Sequence, residues 1–328
     1  MTDIATLELA DMTDPREPPF DPSRELGAVI AGLSDARMRW RRAHERHAEY
    51  GSLGFPSRQS LARIVTTLSA VLFPLRLGPP ELNAANEDAF VEATLESILS
   101  QLAAQIRLEL RYERPGADAD GIEADVQAIL RGFALSLPEL RGLLDTDVQA
   151  AYAGDPAARS VDEVLLCYPC VTAVIHHRLA HRLHQLGAPL VARIIAEIAH
   201  SRTGIDIHPG AAIGRSFFID HGTGVVIGET AVIGDRVRIY QAVTLGARSF
   251  DVDEAGALLK GAPRHPVIED DVVIYSGATI LGRVTIGRGS VIGGNVWLTH
   301  SVPAGSNVRQ AHPNLSIINE VEGAVAIR

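Results

Sequence analysis

An aliphatic residue returns at every sixth position through most of the segment between residues 205 and 300. The positions are Ile207, Ile213 and Ile219, then Ile227, Ile233, Ile239 and Leu245, then Ile268, Ile274, Ile280, Ile286, Ile292 and Leu298. An α-helix buries residues three and four apart and an ordinary strand buries alternate residues, so this period fits neither. It predicts short strands joined by tight turns, each with one inward side chain, that stack coil on coil into a solenoid.

Glycine directly follows many of these aliphatic positions, where a solenoid turns from one flat face to the next. The glycines are Gly214, Gly228, Gly234, Gly246, Gly287 and Gly293. Because glycine has no Cβ, it tolerates positive φ and the close approach of neighbouring backbone. We therefore expect each of these glycines to lie in a turn that requires one or the other.

The regular phase breaks at two places, and both breaks carry histidine. Two extra residues enter between Ile219 and Ile227, and the phase is lost across a polar stretch at 247–266. A break in a regular scaffold is where a side chain is re-aimed or a loop is extended for function. The candidate functional residues are therefore sought at these two breaks.

The chain before residue 204 has the pattern of helices. Apolar residues recur three and four positions apart, and they predict helices at 24–50 (ending at Gly51), 58–76, 86–112, 121–135, 137–153, 169–186 and 188–202. The predicted fold class is therefore α+β, with an all-helical N-terminal domain followed by the solenoid. The predicted bounds are a disordered tail at 1–22, the helical domain at 23–203, the solenoid at 204–302 and a C-terminal tail at 303–328, whose apolar stretch at 315–318 is expected to cover the last coil.

Composition and charge narrow the function classes. The chain has 328 residues, 46% of them hydrophobic and 21% charged, as in an ordinary globular protein of about two domains. Its formal charge of -10, without a long basic tract, argues against a nucleic-acid partner or an anionic membrane surface. The chain lacks an apolar run long enough to span a membrane, and residues 1–21 are acidic and contain proline. We therefore expect a cytoplasmic protein that binds neither nucleic acid nor membrane.

Two motifs in the helical part are open to more than one interpretation. Cys167 and Cys170 form a C-x-x-C pair, but Pro169 between them suits a first helical turn, so we interpret them as residues of a helix start and assign them no chemistry. A basic stripe with near-helical spacing follows. It consists of His176, His177, Arg178, His181, Arg182 and His184. The stripe could bind a metal, but without a Glu-x-x-His pattern a solvated or interface helix surface is favoured.

The candidate chemistry lies in histidine and aspartate residues at the solenoid turns. His221 follows Asp206 by fifteen residues, which is close to one coil, so the two side chains could form a His-Asp dyad. Such a dyad is a general-base arrangement for an alcohol. Arg264 beside His265 offers a cationic seat for a carboxylate. The same histidines could instead hold a metal, as in a hydratase, and His208 before a proline could equally be a turn residue.

The motifs around these residues resemble the serine O-acetyltransferase family. The segments that carry the resemblance are Asp206-Ile-His-Pro209, Phe218-Ile-Asp-His-Gly-Thr-Gly224, Val226 to Gly234, Val243-Thr-Leu-Gly246, Arg264-His-Pro266 and Asp155-Pro-Ala157. The resemblance covers residues 150–300 closely. Hexapeptide repeats alone would indicate only the wider hexapeptide acyltransferase superfamily, whose solenoid is a left-handed parallel β-helix.

The resemblance implies an enzyme that transfers acetyl from acetyl-CoA to the hydroxyl of L-serine, giving O-acetyl-L-serine and CoA for cysteine biosynthesis. By the same resemblance, His221 is the general base and Asp206 orients it. Asp155 and Asp220 receive the substrate ammonium, and Arg264 and His265 hold its carboxylate. Attack is direct, so the family needs neither an acyl-enzyme nucleophile nor a metal. Other hydroxyl acceptors, and a non-catalytic assembly module, remain as alternatives.

The resemblance also implies a coenzyme site and an oligomer. Coenzyme A would lie in a groove between adjacent solenoids, against backbone at Gly246, Ala247, Ser276 and Gly277. The family forms trimers, often paired into hexamers, so we expect a trimer or a dimer of trimers. The chain departs from the family in its longer acidic loop at 247–263 and in its end at Arg328. Family members dock into O-acetylserine sulfhydrylase through a terminal isoleucine, so that complex is not expected.

Overall fold

The computed structural model describes residues 21–43, 54–249, 253 and 256–311. The predicted tails at 1–22 and 303–328 fall largely outside these residues, as do Gly51, the stretch at 315–318, Arg328 and most of the acidic part of the loop. By contacts between Cα atoms, the chain divides into one unit at residues Met1–Gly54 and a second at Phe55–Arg328. The first unit contributes one described helix, α1 (Pro22–Ala43), which exposes most of its large apolar side chains.

The second unit consists of helices followed by short strands. The helices are α2 (Arg58–Leu72), α3 (Pro74–Leu77), α4 (Glu87–Glu113), α5 (Ala119–Gly154), α6 (Val161–Cys167), α7 (Pro169–Gln185) and α8 (Pro189–Thr203). The strands are β1 (Asp206–Ile207), β2 (Ala212–Ile213), β3 (Phe218–Ile219), β4 (Val226–Ile227), β5 (Val232–Ile233), β6 (Arg238–Ile239), β7 (Thr244–Gly246), β8 (Val267–Ile268), β9 (Val273–Ile274), β10 (Thr279–Leu281), β11 (Thr285–Ile286), β12 (Val291–Ile292), β13 (Trp297–Leu298) and β14 (Asn307–Val308).

The strands form three parallel sheets, which are the three faces of a β-helix. The first face has the order β1-β4-β7-β10-β13, the second β11-β8-β5-β2 and the third β14-β12-β9-β6-β3. The aliphatic residue of the six-residue period is buried in each strand from β1 to β13, so the predicted solenoid packing is confirmed. Strand β14 pairs with β12, and it therefore extends the solenoid past the predicted boundary at residue 302.

The glycines of the period serve close packing rather than positive φ. A Cβ at Gly214 would lie 2.6 Å from the carbonyl oxygen of Gly234 on the next coil. Positive φ occurs instead two residues further along the turns, at residues that include Ser216 and Arg236, each with φ of 57°. The sequence therefore identified the turns correctly, but the left-handed position in several of them is held by a residue with a side chain, which the chain tolerates at some energetic cost.

Two helix predictions need correction. The helices predicted at 121–135 and 137–153 are one helix, α5, which continues through Pro138. Proline removes one backbone hydrogen bond, but the buried face of α5 is continuous across it, and this packing outweighs the local loss. Conversely, the helix predicted at 58–76 divides at Phe73, because Pro74 disfavours helical geometry in the residue before it. Helix α6 has no counterpart in the sequence prediction.

The helices and the first coil are joined by a buried ion pair. Arg178 on α7 and Asp147 on α5 make two hydrogen bonds of 3.1 Å, and both side chains are almost fully buried. Arg178 also donates to the carbonyl oxygens of Ile213 and Gly214, and Asp147 accepts the backbone N–H of Phe217 at 2.9 Å. The turn between β2 and β3 is thus held by both helices.

The basic stripe on α7 is an interface rather than a solvated surface. His176, His177 and Arg178 are buried, and His181 donates from Nδ1 to the carbonyl oxygen of Pro209 at 2.8 Å. One hydrophobic core continues from the helices into the β-helix, so the predicted division between 203 and 204 marks a change of secondary structure within one packed unit. Among the described residues, no helix is both long and apolar enough to cross a membrane.

Removing Arg178 alone should destabilise the protein strongly. Arg178→Met leaves Asp147 buried without its cation, and breaking a buried pair costs about 3–5 kcal/mol of unfolding free energy. Urea denaturation at fixed protein concentration measures this loss. Arg76→Met is the control, because its pair with Asp162 is exposed and screened by solvent, so its loss should change the unfolding free energy far less. The double variant with Asp147→Asn should lose less than the sum of the single losses, and simple additivity would contradict the coupling.

Candidate active site

The two-residue insertion gives the solenoid an unusual turn between β3 and β4. On the first face Asp206 pairs with Val226, whereas Val226 pairs with Thr244, so the first coil is two residues longer than the second. The extra length follows β3 directly, where His221 has a φ of 57°. Its side chain is 74% exposed. Ser216 and Arg236 have the same φ in regular turns, so it is the added length and the exposed imidazole that distinguish this turn. We call this edge of the solenoid the His221 corner.

A cavity of about 320 Å³ lies at the His221 corner. It is lined by Asp155, Cys167, Tyr168, Pro169, Cys170, Asp220 and His221. Its volume is at the lower end of the range for small-molecule sites, about 300–1,000 Å³. The cavity therefore brings together three of the predicted site residues, Asp155, Asp220 and His221, with the C-x-x-C segment to which the sequence assigned no chemistry.

Two carboxylates face His221 across this cavity. The Nε2 atom of His221 lies 3.9 Å from Oδ1 of Asp220. Asp155 is the residue that ends α5, and the hydrogen bond from Tyr168 lowers the pKa of its carboxyl, with a smaller contribution from His221. An imidazole beside carboxylates can accept a proton from a hydroxyl, while the carboxylates attract a cationic group.

The predicted dyad of His221 with Asp206 is not formed in this chain. No hydrogen bond or ion pair joins these two residues, both of which are described. Asp206 pairs with Val226, so a full coil needs twenty residues at this level, and the fifteen-residue separation leaves His221 short of it. The carboxylate of Asp206 lies instead beside Glu197 and His200 at the end of α8.

Arg264 and His265 lie at a different edge, where the first face turns into the second. We call it the His265 corner. Arg264 donates to Oε2 of Glu229 at 2.6 Å, so its guanidinium already has a carboxylate partner. Burial would raise the pKa of Glu229, but the hydrogen bond from Arg264 and the neighbouring cations hold that pKa below its ordinary value. The cationic seat predicted for a substrate carboxylate is therefore shared with Glu229.

His265 is held in one tautomer. Its Nδ1 accepts the backbone N–H of Thr230 at 3.0 Å, so the ring proton is on Nε2 and is available to a ligand oxygen. The ring packs on Gly228, where a Cβ would lie 2.0 Å from Cδ2 and 2.1 Å from Nε2. Burial, reinforced by Arg264, lowers the pKa of His265 and keeps the ring neutral.

The predicted site residues are thus divided between two corners of one chain. The whole first face of the solenoid separates the His221 corner from the His265 corner. The predicted coenzyme positions divide in the same way. Gly246 and Ala247 are at the end of β7 on the His265 corner, and Ser276 and Gly277 precede β10 on the His221 corner. A single chain does not bring either set together.

The metal alternative gains little from the geometry. Within the described residues, the one group whose ligand atoms converge as a metal site would require is Glu197, His200 and Asp206. It excludes His208, His221 and His265, and Arg193 pairs with Glu197 at 2.5 Å. The Nδ1 of His208 accepts the N–H of Gly210 at 3.0 Å, a contact typical of a turn residue. Burial lowers the pKa of His208 to about 4.

Sequence reasoning missed Tyr168 and Glu229. Tyr168 donates to Oδ2 of Asp155 at 2.5 Å. The two residues are thirteen positions apart, a separation that matches neither the helical nor the solenoid period, so the sequence pattern does not predict the contact. Glu229 lies opposite Arg264 because strand β5 pairs with β8. That register would have revealed Glu229 once the long loop was treated as an insertion between coils.

Comparison with known proteins agrees with this architecture. Residues 265–300 match the family model described as bacterial transferase hexapeptide (six repeats). The chain is 58% identical over 291 residues to a serine acetyltransferase of Synechococcus elongatus, covering 87% of this chain and 91% of that protein. It is 49% identical to a serine acetyltransferase of Bacillus licheniformis, over 51% of this chain and 73% of that one.

A solved structure extends the likeness to the fold. Serine acetyltransferase isoform 3 of Entamoeba histolytica, determined in complex with cysteine, superposes with a TM-score of 0.66 at 35% identity. The match covers 78% of this chain and 84% of that one. The predicted fold class, a helical N-terminal domain followed by a left-handed parallel β-helix, is confirmed.

A side chain at position 228 should displace His265. In Gly228→Ala the new Cβ overlaps the imidazole, so the ring must move towards solvent, and the pKa of His265 should rise towards its ordinary value. NMR titration of the ring C–H resonances measures this change. Gly142→Ala on α5 is the matched control, because no atom lies within 4 Å of its Cβ. An unchanged titration in Gly228→Ala would contradict the packing.

Proposed function

Because this chain belongs to the serine acetyltransferase family, whose members are enzymes that acetylate serine for cysteine biosynthesis, we propose that its acetyl donor is acetyl-CoA. The products are then O-acetyl-L-serine and CoA. The observation that carries the proposal is the cavity in which Asp155 and Asp220 face His221. L-Serine offers that cavity an ammonium group for the carboxylates and a hydroxyl for the imidazole.

In the proposed reaction His221 acts as the general base. Its imidazole takes the proton of the serine hydroxyl as the oxygen attacks the carbonyl carbon of the thioester. The carbon–sulfur bond breaks, and the proton held by His221 passes to the departing thiolate, which leaves as CoA. The step requires the serine hydroxyl to be oriented beside the base. The ion pair between the substrate ammonium and the carboxylates of Asp155 and Asp220 orients it.

We propose that the substrate carboxylate binds Arg264 and the Nε2–H of His265 from a second copy of the chain. The two corners lie on either side of one solenoid face, so a head-to-tail arrangement would bring the His221 corner of one protomer to the His265 corner of its partner. Such heterologous contacts close into rings, and a ring of three fits three-faced solenoids. The same arrangement would unite the divided coenzyme positions in the groove between protomers.

Asp206 is proposed to orient His221, yet Asp220 is the carboxylate beside that imidazole in the single chain. We place the enzyme in the cytoplasm, a reducing compartment in which its two cysteines remain free thiols.

Removing His221 should abolish most of the turnover. His221→Ala is expected to lower kcat at least about a hundredfold, since general-base catalysis contributes roughly that much or more. The assay is CoA thiol release from acetyl-CoA with L-serine, beside homoserine, threonine and a galactoside. Asp206→Asn should lower kcat if Asp206 orients the base.

The outcomes of this assay are distinct. Release with L-serine and its loss in His221→Ala support the proposal. Release only with another acceptor would show that L-serine is not the substrate. Near wild-type turnover in His221→Ala would show that His221 is not the general base. His300→Ala, at an exposed histidine two coils beyond His265 along the same edge, is the control for a change of histidine to alanine.

Mixed oligomers should recover activity that neither parent has. Co-expression of His221→Ala and Arg264→Ala chains with different tags produces interfaces in which both corners are wild-type. With random mixing about a quarter of the interfaces have this composition, so about a quarter of wild-type turnover is expected for a heterologous ring. Activity as low as that of the separate variants would show that each site is built within one chain.

A further inference from the structure

We propose that Tyr168 is a positioning residue of the acetyltransferase site. Its hydroxyl holds the Asp155 carboxylate in the orientation that receives the substrate ammonium. The inference rests on the proposed function and adds a residue to it. Its basis is the contact between the Tyr168 hydroxyl and Oδ2 of Asp155, at 2.5 Å, inside the His221 cavity.

The two oxygens of Asp155 are held by donors from two different segments. Oδ1 accepts the backbone N–H of Ala157 at 2.8 Å, and Oδ2 accepts the hydroxyl of Tyr168. Each carboxylate oxygen has two lone pairs, so one on each oxygen remains for a ligand. The carboxylate is thus fixed without being saturated, as a receptor for an ammonium group requires.

Tyr168 is itself fixed between two helices. It ends α6 and begins α7: its backbone N–H donates to the carbonyl oxygen of Val164, and Pro169 occupies the first turn of α7. The ring is half-buried and packs against the hydrophobic core. Its hydroxyl therefore reaches Asp155 from a rigid base. Backbone hydrogen bonds also hold Asp155 at the end of α5, but among the described residues Tyr168 is the one side chain that donates to its carboxylate.

The contact also favours the charge states that binding needs. The hydrogen bond from Tyr168 is the largest cause that lowers the pKa of Asp155, and the same bond raises the pKa of Tyr168 to about 12. Asp155 therefore stays ionised and Tyr168 stays protonated over the whole neutral range. Among the described hydrogen bonds, none donates to the carboxylate of Asp220. Of the two carboxylates in the cavity, Asp155 is therefore the one that is held in place.

The test is Tyr168→Phe, which removes the hydroxyl and keeps the ring. We expect KM for L-serine to rise roughly ten- to hundredfold with kcat changed less than about threefold, the range for loss of a hydrogen bond to a charged group. The preference for L-serine over L-glycerate, in which a hydroxyl replaces the ammonium group, should fall by a similar factor. KM for acetyl-CoA should not change.

The pH profile supplies a second readout. Asp155 binds the ammonium only when ionised, so L-serine binding weakens as pH falls through its pKa. The profile is measured as the dissociation constant of L-serine in the His221→Ala background, because protonation of the proposed base would also lower kcat/KM. Without Tyr168 that pKa rises, and the acidic limb should move to higher pH. In the Asp155→Asn background the Tyr168→Phe substitution should change kcat/KM less than about twofold, because the partner of the hydroxyl is already altered.

Controls separate this inference from a structural role and from the function itself. Tyr152→Phe removes a hydroxyl from α5 that makes no described hydrogen bond, and should behave as wild type. The positioning role would be overturned if kcat fell by as large a factor as KM rose, the melting temperature dropped, and the acidic limb of the pH profile stayed in place. So would unchanged discrimination against L-glycerate. A wild-type enzyme that fails to acetylate L-serine would instead overturn the proposed function.

Discussion

The ion pair between Arg178 and Asp147 sets the position of the helices on the solenoid, and the site depends on it. Asp147 and Asp155 belong to the same end of α5, about two helical turns apart. Because Asp147 accepts the N–H of Phe217 and its partner Arg178 holds the preceding turn, the end of α5 is fixed beside β3. The carboxylate that ends α5 then meets the residues that follow β3, and the cavity forms between two elements that the chain places far apart.

The two corners are built by different means. The His221 corner depends on packing between helices and solenoid, together with a turn lengthened by two residues. The His265 corner depends on strand register alone, since β5 pairs with β8 across the long loop and sets Glu229 and Thr230 against Arg264 and His265. A substitution in the helices therefore affects the first corner directly and the second only through the solenoid.

Much of the fold could be predicted from the sequence, because a six-residue period has few structural solutions. The period identified one buried residue in each strand from β1 to β13, and the two breaks identified His221 and His265. It did not identify the second buried series two positions earlier, which includes Val225, Val243 and Val272. The continuation of α5 through Pro138 was missed because tertiary burial overrode a local signal. The dyad with Asp206 was inferred from a fifteen-residue spacing that falls short of a coil of twenty. Tyr168 was missed because its contact crosses two helix ends, and pattern does not encode such contacts.

The anchoring of the first coil also gives the solenoid a direction. Its first turn is bonded to α5 and α7, whereas later coils rest mainly on the coil before them, as in other linear repeat architectures. Stability in such an array is shared between neighbours, so protection of backbone amides against hydrogen exchange should decline from β1 towards β14. The helices then act as a template on which the array grows, and the end opposite the helices is the first to fray.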